Sequence, residues 1–226
     1  MAWMPGHQRP MKSGTARRSV SPSVRLGFES LEPRVLLATA EFMVHLYRDD
    51  QGAPGARITD DTVEVGESFF VEITAREFDP DFAGLAGVSL DIAWDPATLR
   101  EIDARFDPSD PESRLVTPDF PLYRQGRLDN DAGTIDELAG IASKLLGAGR
   151  AIGDFQPERF SLLHFQAIQP AESSAFTMEQ GRLRIVTAPV SNLGRTQVYF
   201  EPQTIRVKPG ATASARFKQT RPIDPH

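Results

Sequence analysis

The feature that most limits this chain is a two-residue hydrophobic period, in short runs that glycine, proline or aspartate close before a helix could form. In residues 69–75, Phe69, Val71, Ile73 and Ala75 alternate with Phe70, Glu72 and Thr74. In residues 86–94, Val88, Leu90, Ile92 and Trp94 alternate with Ser89, Asp91 and Ala93. Successive side chains of an extended strand point to opposite faces, so each run buries one face and wets the other. The chain has 226 residues, 18 of them proline and 17 glycine, which suits many turns and short strands.

Other segments read the same way. Residues 42–47 form a β-rich run, closed by a turn cluster over 48–55 that holds Gly52, Pro54 and Gly55. Val63 and Val65 precede a break at Gly66, and residues 99–102 form a short strand. A long polar connection over 106–125 follows, with Pro108, Pro111, Pro118 and Pro121. Residues 159–168 alternate but are apolar on both faces in the middle, which suits a strand between two packed layers. Residues 176–178, 181–187, 197–200 and 204–207 supply the remainder. In residues 134–146 the local rules conflict. Thr134 and Glu137 have capping-box spacing, and Leu138, Ile141, Ala142 and Leu145 recur at helical spacing, so periodicity alone predicts a helix. Eight to ten short strands without long helices predict an all-β fold, a two-sheet antiparallel sandwich of jelly-roll or immunoglobulin-like type. The sandwich is expected over 41–208, after a disordered basic leader, 1–40, and before a flexible tail, 209–226.

Charge divides the chain along the same boundary. Of 25 bases and 31 acids, residues 1–40 hold six bases and two acids, which leaves nineteen bases and twenty-nine acids from residue 41 on. A body this acidic repels phosphate and anionic lipid, so nucleic acid is not an expected partner. No apolar run is long enough for a spanning helix. The cysteine count is zero, which excludes disulfides, thiolate metal sites and cysteine nucleophiles.

The leader carries a motif. Residues 1–24 are rich in Arg, Ser, Pro and Gly, a composition that cannot offset the entropy of ordering. Val35, Leu36, Leu37 and Ala38 then precede Thr39 and Ala40: a basic start and small residues at a cut site, without the usual apolar middle of a signal peptide. The run 28–38, with Leu31, Glu32, Pro33, Arg34, Leu36 and Leu37, resembles the LEPR-x-LL segment near the start of many large surface proteins of planctomycete-type bacteria. That resemblance implies a prokaryotic source and delivery to the cell envelope or exterior.

The body resembles a cohesin domain. The residues that carry this are Val65-Gly66-Glu67-Ser68, then Gly87 to Leu99 with its Trp94-Asp95-Pro96 corner, then Gly133-Thr134-Ile135-Asp136, and finally residues 160–168 as the penultimate core strand. The match spans about residues 42–207. It prefers a strand at the start of 134–146, and the expectation is a short strand followed by a helical turn. The resemblance implies a non-enzymatic module that offers a sheet face or loop rim to another surface or secreted protein, one with a dockerin-type segment included. A carbohydrate-binding module of the same sandwich type, with polysaccharide as partner, is the alternative. Two departures matter: Trp94 stands where the family more often has Tyr, and the 106–125 connection is long, so partner-binding loops do not transfer.

Catalytic and metal motifs are sparse. His45 and His164 lie in separate strands and His7 and His226 in the tails, which is no zinc spacing. Residues 129–137 resemble a calcium loop only superficially: glycine falls at the fifth position, not the sixth, and Gly140 stands where the bidentate glutamate belongs. Weak calcium binding by Asp129 and Asp131 therefore competes with an Asx-rich turn, and no other cofactor is expected. Ser89 lacks the second glycine of a nucleophile elbow. Asp91 with Asp95, or Asp103 with Asp107, would serve glycoside hydrolysis only at the right separation, and such acids usually face water. Of the aromatics able to stack on a ligand, Trp94 alternates with core positions, Tyr199 lies in a strand, and Tyr123, in the proline-rich connection, is the better ligand-contact candidate.

Overall fold

The computed structural model describes residues 39–143, 148–194 and 197–210. The leader motif, Leu31 to Leu37, and the tail from 211 on lie outside them. Fourteen strands and no α-helix occur among the described residues, in two sheets. The first sheet runs β13 (Val198–Phe200), β1 (Ala40–Asp50), β4 (Ser68–Glu77), β9 (Glu158–Ala167), β6 (Leu99–Glu101), with β2 (Ala53–Ile58) also on β1. The second runs β12 (Asn192–Leu193), β11 (Ile185–Thr187), β5 (Leu85–Trp94), β10 (Ala171–Gln180), β14 (Gln203–Lys208), β3 (Thr62–Glu64). On the other edge of β5 lies β8 (Thr134–Ile141), and β7 (Leu122–Asp129) pairs with β8. The pairing is antiparallel except for β1 with β13 and β14 with β3, which are parallel.

The alternation read from the sequence sets the faces. Phe69, Val71, Ile73 and Ala75 point inward from β4, and Val88, Leu90, Ile92 and Trp94 from β5, all at 5% exposure or less. Phe165 joins the layers: its ring stacks on Phe69 at 6.1 Å and meets Trp94 and Phe176 edge-on at 5.0 and 5.9 Å. Trp94 is thus a core residue, and its indole N–H donates to Leu99 O at 3.1 Å. The Asp95-Pro96 corner works as an Asx turn, with Ala97 N–H donating to Asp95 Oδ1 at 2.9 Å. Gly133 lies against this corner with φ +67°, where a Cβ would stand 2.8 Å from Pro96 Cδ.

Several expectations are corrected. The 48–55 turn is tighter than read, because β1 runs to Asp50 and β2 starts at Ala53. Within 181–187 only Ile185–Thr187 is strand, and 181–184 is a turn. The 134–146 region is a full strand at its start, with helical spacing produced by a bulge. Leu138 pairs with Leu90 but Ile135 with Ile92, so β8 places two residues, Asp136 and Glu137, opposite Asp91. The extra residue separates inward Ile135 from inward Leu138 by three positions, a helical interval without a helix. Residues 144–147, where the helical turn was expected, lie outside the described residues.

The 106–125 connection differs most. Its end is strand, since β7 begins at Leu122, and Tyr123 therefore stands on a strand. Its middle is core: Leu115, Val116 and Phe120 are fully buried, and Phe120 packs on Phe160 with ring centres 6.2 Å apart. Arg124 holds this segment in place, its guanidinium donating to Pro111 O, Ser113 O and Val116 O at 3.3, 3.0 and 2.5 Å. As read from the sequence, β9 is buried on both faces in its middle: Leu163 faces inward at 0% exposure, and Leu162, opposite Glu72 on the outer face, is 3% exposed. On its outer face His164 stacks on Phe70 at 4.2 Å, and the Arg114 guanidinium lies 5.9 Å from the Phe70 ring.

Candidate functional site

A sandwich can offer an edge or a face. Here the edges are poor templates for an added strand: β3, β6, β12 and β13 have three residues or fewer, β2 contains Pro54, and β7 carries two register irregularities. The outer face of the six-stranded sheet is occupied by its own pairs. Tyr47 O–H donates to Glu72 at 3.0 Å, His164 contacts Asp49 at 2.9 Å, Arg57 contacts His45 at 2.8 Å, and Arg76 binds Glu41. Burial and the neighbouring Arg57 guanidinium hold the His45 imidazole below its usual pKa.

The outer face of the eight-stranded sheet is different. Its β10 and β14 positions Ala175, Thr177, Glu179, Thr204 and Arg206 are exposed, and Ala93 and Thr134 are half-buried, which makes a low strip of mainly small residues. Beside the strip lies a groove of about 600 Å³, bordered by Asp91, Asp136, Glu137, Arg127 and Arg182. A second concavity of about 330 Å³ shares Asp91 and Asp136 and extends to Thr177 and Glu179.

The β8 bulge builds the groove. Glu137 takes φ +54°, a region few non-glycine residues adopt, and its N–H donates to Asp91 Oδ1 at 2.8 Å instead of to the ladder. The Glu137 carboxylate accepts Ser89 Oγ–H at 2.7 Å and Arg182 N–H at 2.5 Å. The 181–184 turn can lie this close only because residue 181 is glycine. A Cβ there would collide with Ser89 Oγ and stand 3.0 Å from Glu137 Oε2. Asp136 pairs with Arg127 at 3.2 Å, with both side chains largely exposed. This arrangement lacks a free nucleophile beside a base; what it presents is a firm, shallow surface with charges at fixed places.

The residues singled out from sequence are dispersed. Tyr123 is 69% exposed, on the edge strand β7, at φ +54°. Asp129 Oδ1 accepts the N–H groups of Asp131 and Ala132 at 3.0 and 2.9 Å, the arrangement of an Asx turn. No three Asp, Glu or His side chains among the described residues converge as a metal would need. Asp103 and Asp107 likewise cap turns, through Arg105 N–H and through Ser109, whose hydroxyl and amide hold the Asp107 carboxyl below its usual pKa. Sequence reasoning missed Glu137 and Arg182. The one local signal was Gly181, read as the start of a strand. The largest pKa displacement lies away from the groove, at Glu101, whose burial pushes its carboxyl up to about 8.

A scan of protein-family models finds none that matches the chain, and a search of curated proteins finds no match. Among solved structures the chain is similar to CaCohA2 from Clostridium acetobutylicum, at 14% identity over 76% of this chain and 92% of that one, with a TM-score of 0.48. It is also similar to a type II cohesin domain from the cellulosome of Acetivibrio cellulolyticus, at 14% identity, 75% and 95% coverage and a TM-score of 0.48. A third is the Coh-OlpC–Doc435 complex of Clostridium thermocellum, a type I cohesin–dockerin complex, at 10% identity, 76% and 95% coverage and a TM-score of 0.49. The all-β sandwich itself is established by the chain's own hydrogen-bonded ladders.

Proposed function

We propose that this chain is a non-catalytic, cohesin-like interaction module, delivered to the cell envelope or exterior, that holds a partner protein on the outer face of its eight-stranded sheet. One observation carries the reading: this is the face left open, while the opposite face is internally paired and the edges are blunted. Its low strip of small side chains suits an incoming protein surface, and the bordering charges suit selection among partners. The cohesin resemblance of residues 87–99 supports the same class, and the LEPR-x-LL segment supports the location. Tyr123 belongs to this reading as a contact at the sheet edge, since tyrosine buries a large area at low entropic cost.

The polysaccharide alternative asks for an aromatic platform. The exposed aromatics among the described residues, Tyr123, Phe155 and Tyr199, belong to β7, to the loop before β9 and to β13, and so share no sheet face. The test uses the full chain, immobilised, against a dockerin-type protein and an envelope fraction, each with and without calcium. Capture of a protein that Thr177→Arg abolishes supports the reading. Recovery of polysaccharide, or indifference to Thr177→Arg, overturns it.

A further inference from the structure

Deepening that reading and resting on it, we infer that the 181–184 turn is a carboxylate-binding clip, which fixes the partner's orientation by taking an acidic side chain between Arg182 and Arg184. Both side chains are exposed and border one concavity of about 390 Å³, and Arg182 also borders the main groove. Their lack of partners is unusual for this protein. Seven arginines reach a carboxylate, and three more are engaged by His45, by Phe70 with Gly52 O, and by the 111–116 carbonyls. Apart from Arg100 on β6, only Arg182 and Arg184 meet no acid, ring or carbonyl with their side chains among the described residues. Where acids outnumber bases by ten from residue 41 on, two cations on one turn would ordinarily find a carboxylate.

The carboxylate that reaches this turn is spent on its backbone. Glu137 lies under the turn, but its oxygens accept Ser89 Oγ–H and the backbone N–H of Arg182, so it anchors the turn and leaves the guanidiniums outward. Gly181 N–H donates to Ser89 O at 2.9 Å, a third tie to the sheet. The two forks are thus carried on a backbone already ordered, and a guanidinium fork fits a carboxylate with two parallel hydrogen bonds. In the main groove Asp136 is already paired with Arg127 and Asp91 adds a further negative charge, so an acidic group is better accepted at the turn than there.

The probe is hexaglutamate, titrated into the full chain and followed by amide and arginine Nε–H NMR, with an oligouronate of equal charge in parallel. Saturable shifts confined to 180–184, weakened about tenfold or more in R182Q/R184Q, are expected. That variant keeps every backbone tie of the turn, so loss of binding is not loss of fold. Shifts spread equally over Arg100 and Arg206, no shifts, or a response to the oligouronate alone overturn the clip. Protein capture that is lost in Thr177→Arg but unchanged in R182Q/R184Q overturns the clip and leaves face docking standing. Indifference to Thr177→Arg, with hexaglutamate still held at the turn, removes the docking reading instead.

Discussion

Glu101 makes the stability of this sandwich depend on pH in a direction unusual for a carboxylate. It sits on β6 at 2% exposure, where Oε1 accepts Asp103 N–H at 3.1 Å and Oε2 is buried without a partner. Its backbone is clamped by Asn130, whose Oδ1 and Nδ2 bond Glu101 N–H and C=O, both at 3.0 Å. Desolvation, reinforced by the Asp103 charge and only partly offset by the Asp103 and His164 amides, raises the carboxyl from 4.5 to about 8. Between those values the folded chain keeps a proton that the unfolded chain has released. The group's contribution is therefore complete below about pH 4.5 and lost as pH climbs through about 8. At about 1.4 kcal/mol for each tenfold change in proton affinity, the full loss is at most about 4 to 5 kcal/mol. Glu101→Gln keeps the shape and cannot ionise. Urea unfolding of both proteins from pH 4.5 to 9 should give equal stabilities at the acid end and a variant more stable by several kcal/mol at pH 9. Other titrating groups cancel in the difference. A difference curve flat over this range would refute the argument that this carboxyl is buried uncharged.

Other outcomes follow from the same geometry. Phe165→Ala should cost about 3 to 5 kcal/mol, because its ring bridges Phe69, Trp94 and Phe176 across the layers; a thermal melt within error of the parent would contradict this. Gly181→Ala should destabilise by about 1 to 3 kcal/mol in urea titration, since the new methyl drives the turn off Ser89 and Glu137; unchanged stability would mean the turn is not held as described. Arg124→Met should free the 111–116 segment, read as faster amide exchange at Leu115 and Val116, while exchange in β1 stays unchanged. Tyr123→Ala should leave stability within about 0.5 kcal/mol and weaken partner capture; loss of fold would show that this exposed side chain has a structural role instead.

The alternation in 69–75 and 86–94 was enough to settle that these segments are strands, and which side of each faces the core. Burying one face of a pleated strand is a local requirement, written at every second residue. The Asp95-Pro96 corner was equally legible, because an Asx turn needs only its own four residues. The bulge in β8 was not: two residues opposite Asp91 mimic a helical interval until β5 is known to lie alongside. The burial of Leu115, Val116 and Phe120 within a proline-rich connection depends on Phe160 and Arg124, which come to it only in the folded sandwich. The groove is the extreme case. Ser89, Asp91, Glu137 and Arg182 meet across forty-five and more residues of chain, and hydrogen bonds over such separations leave no periodic trace, because sheet order rather than local preference brings those atoms together.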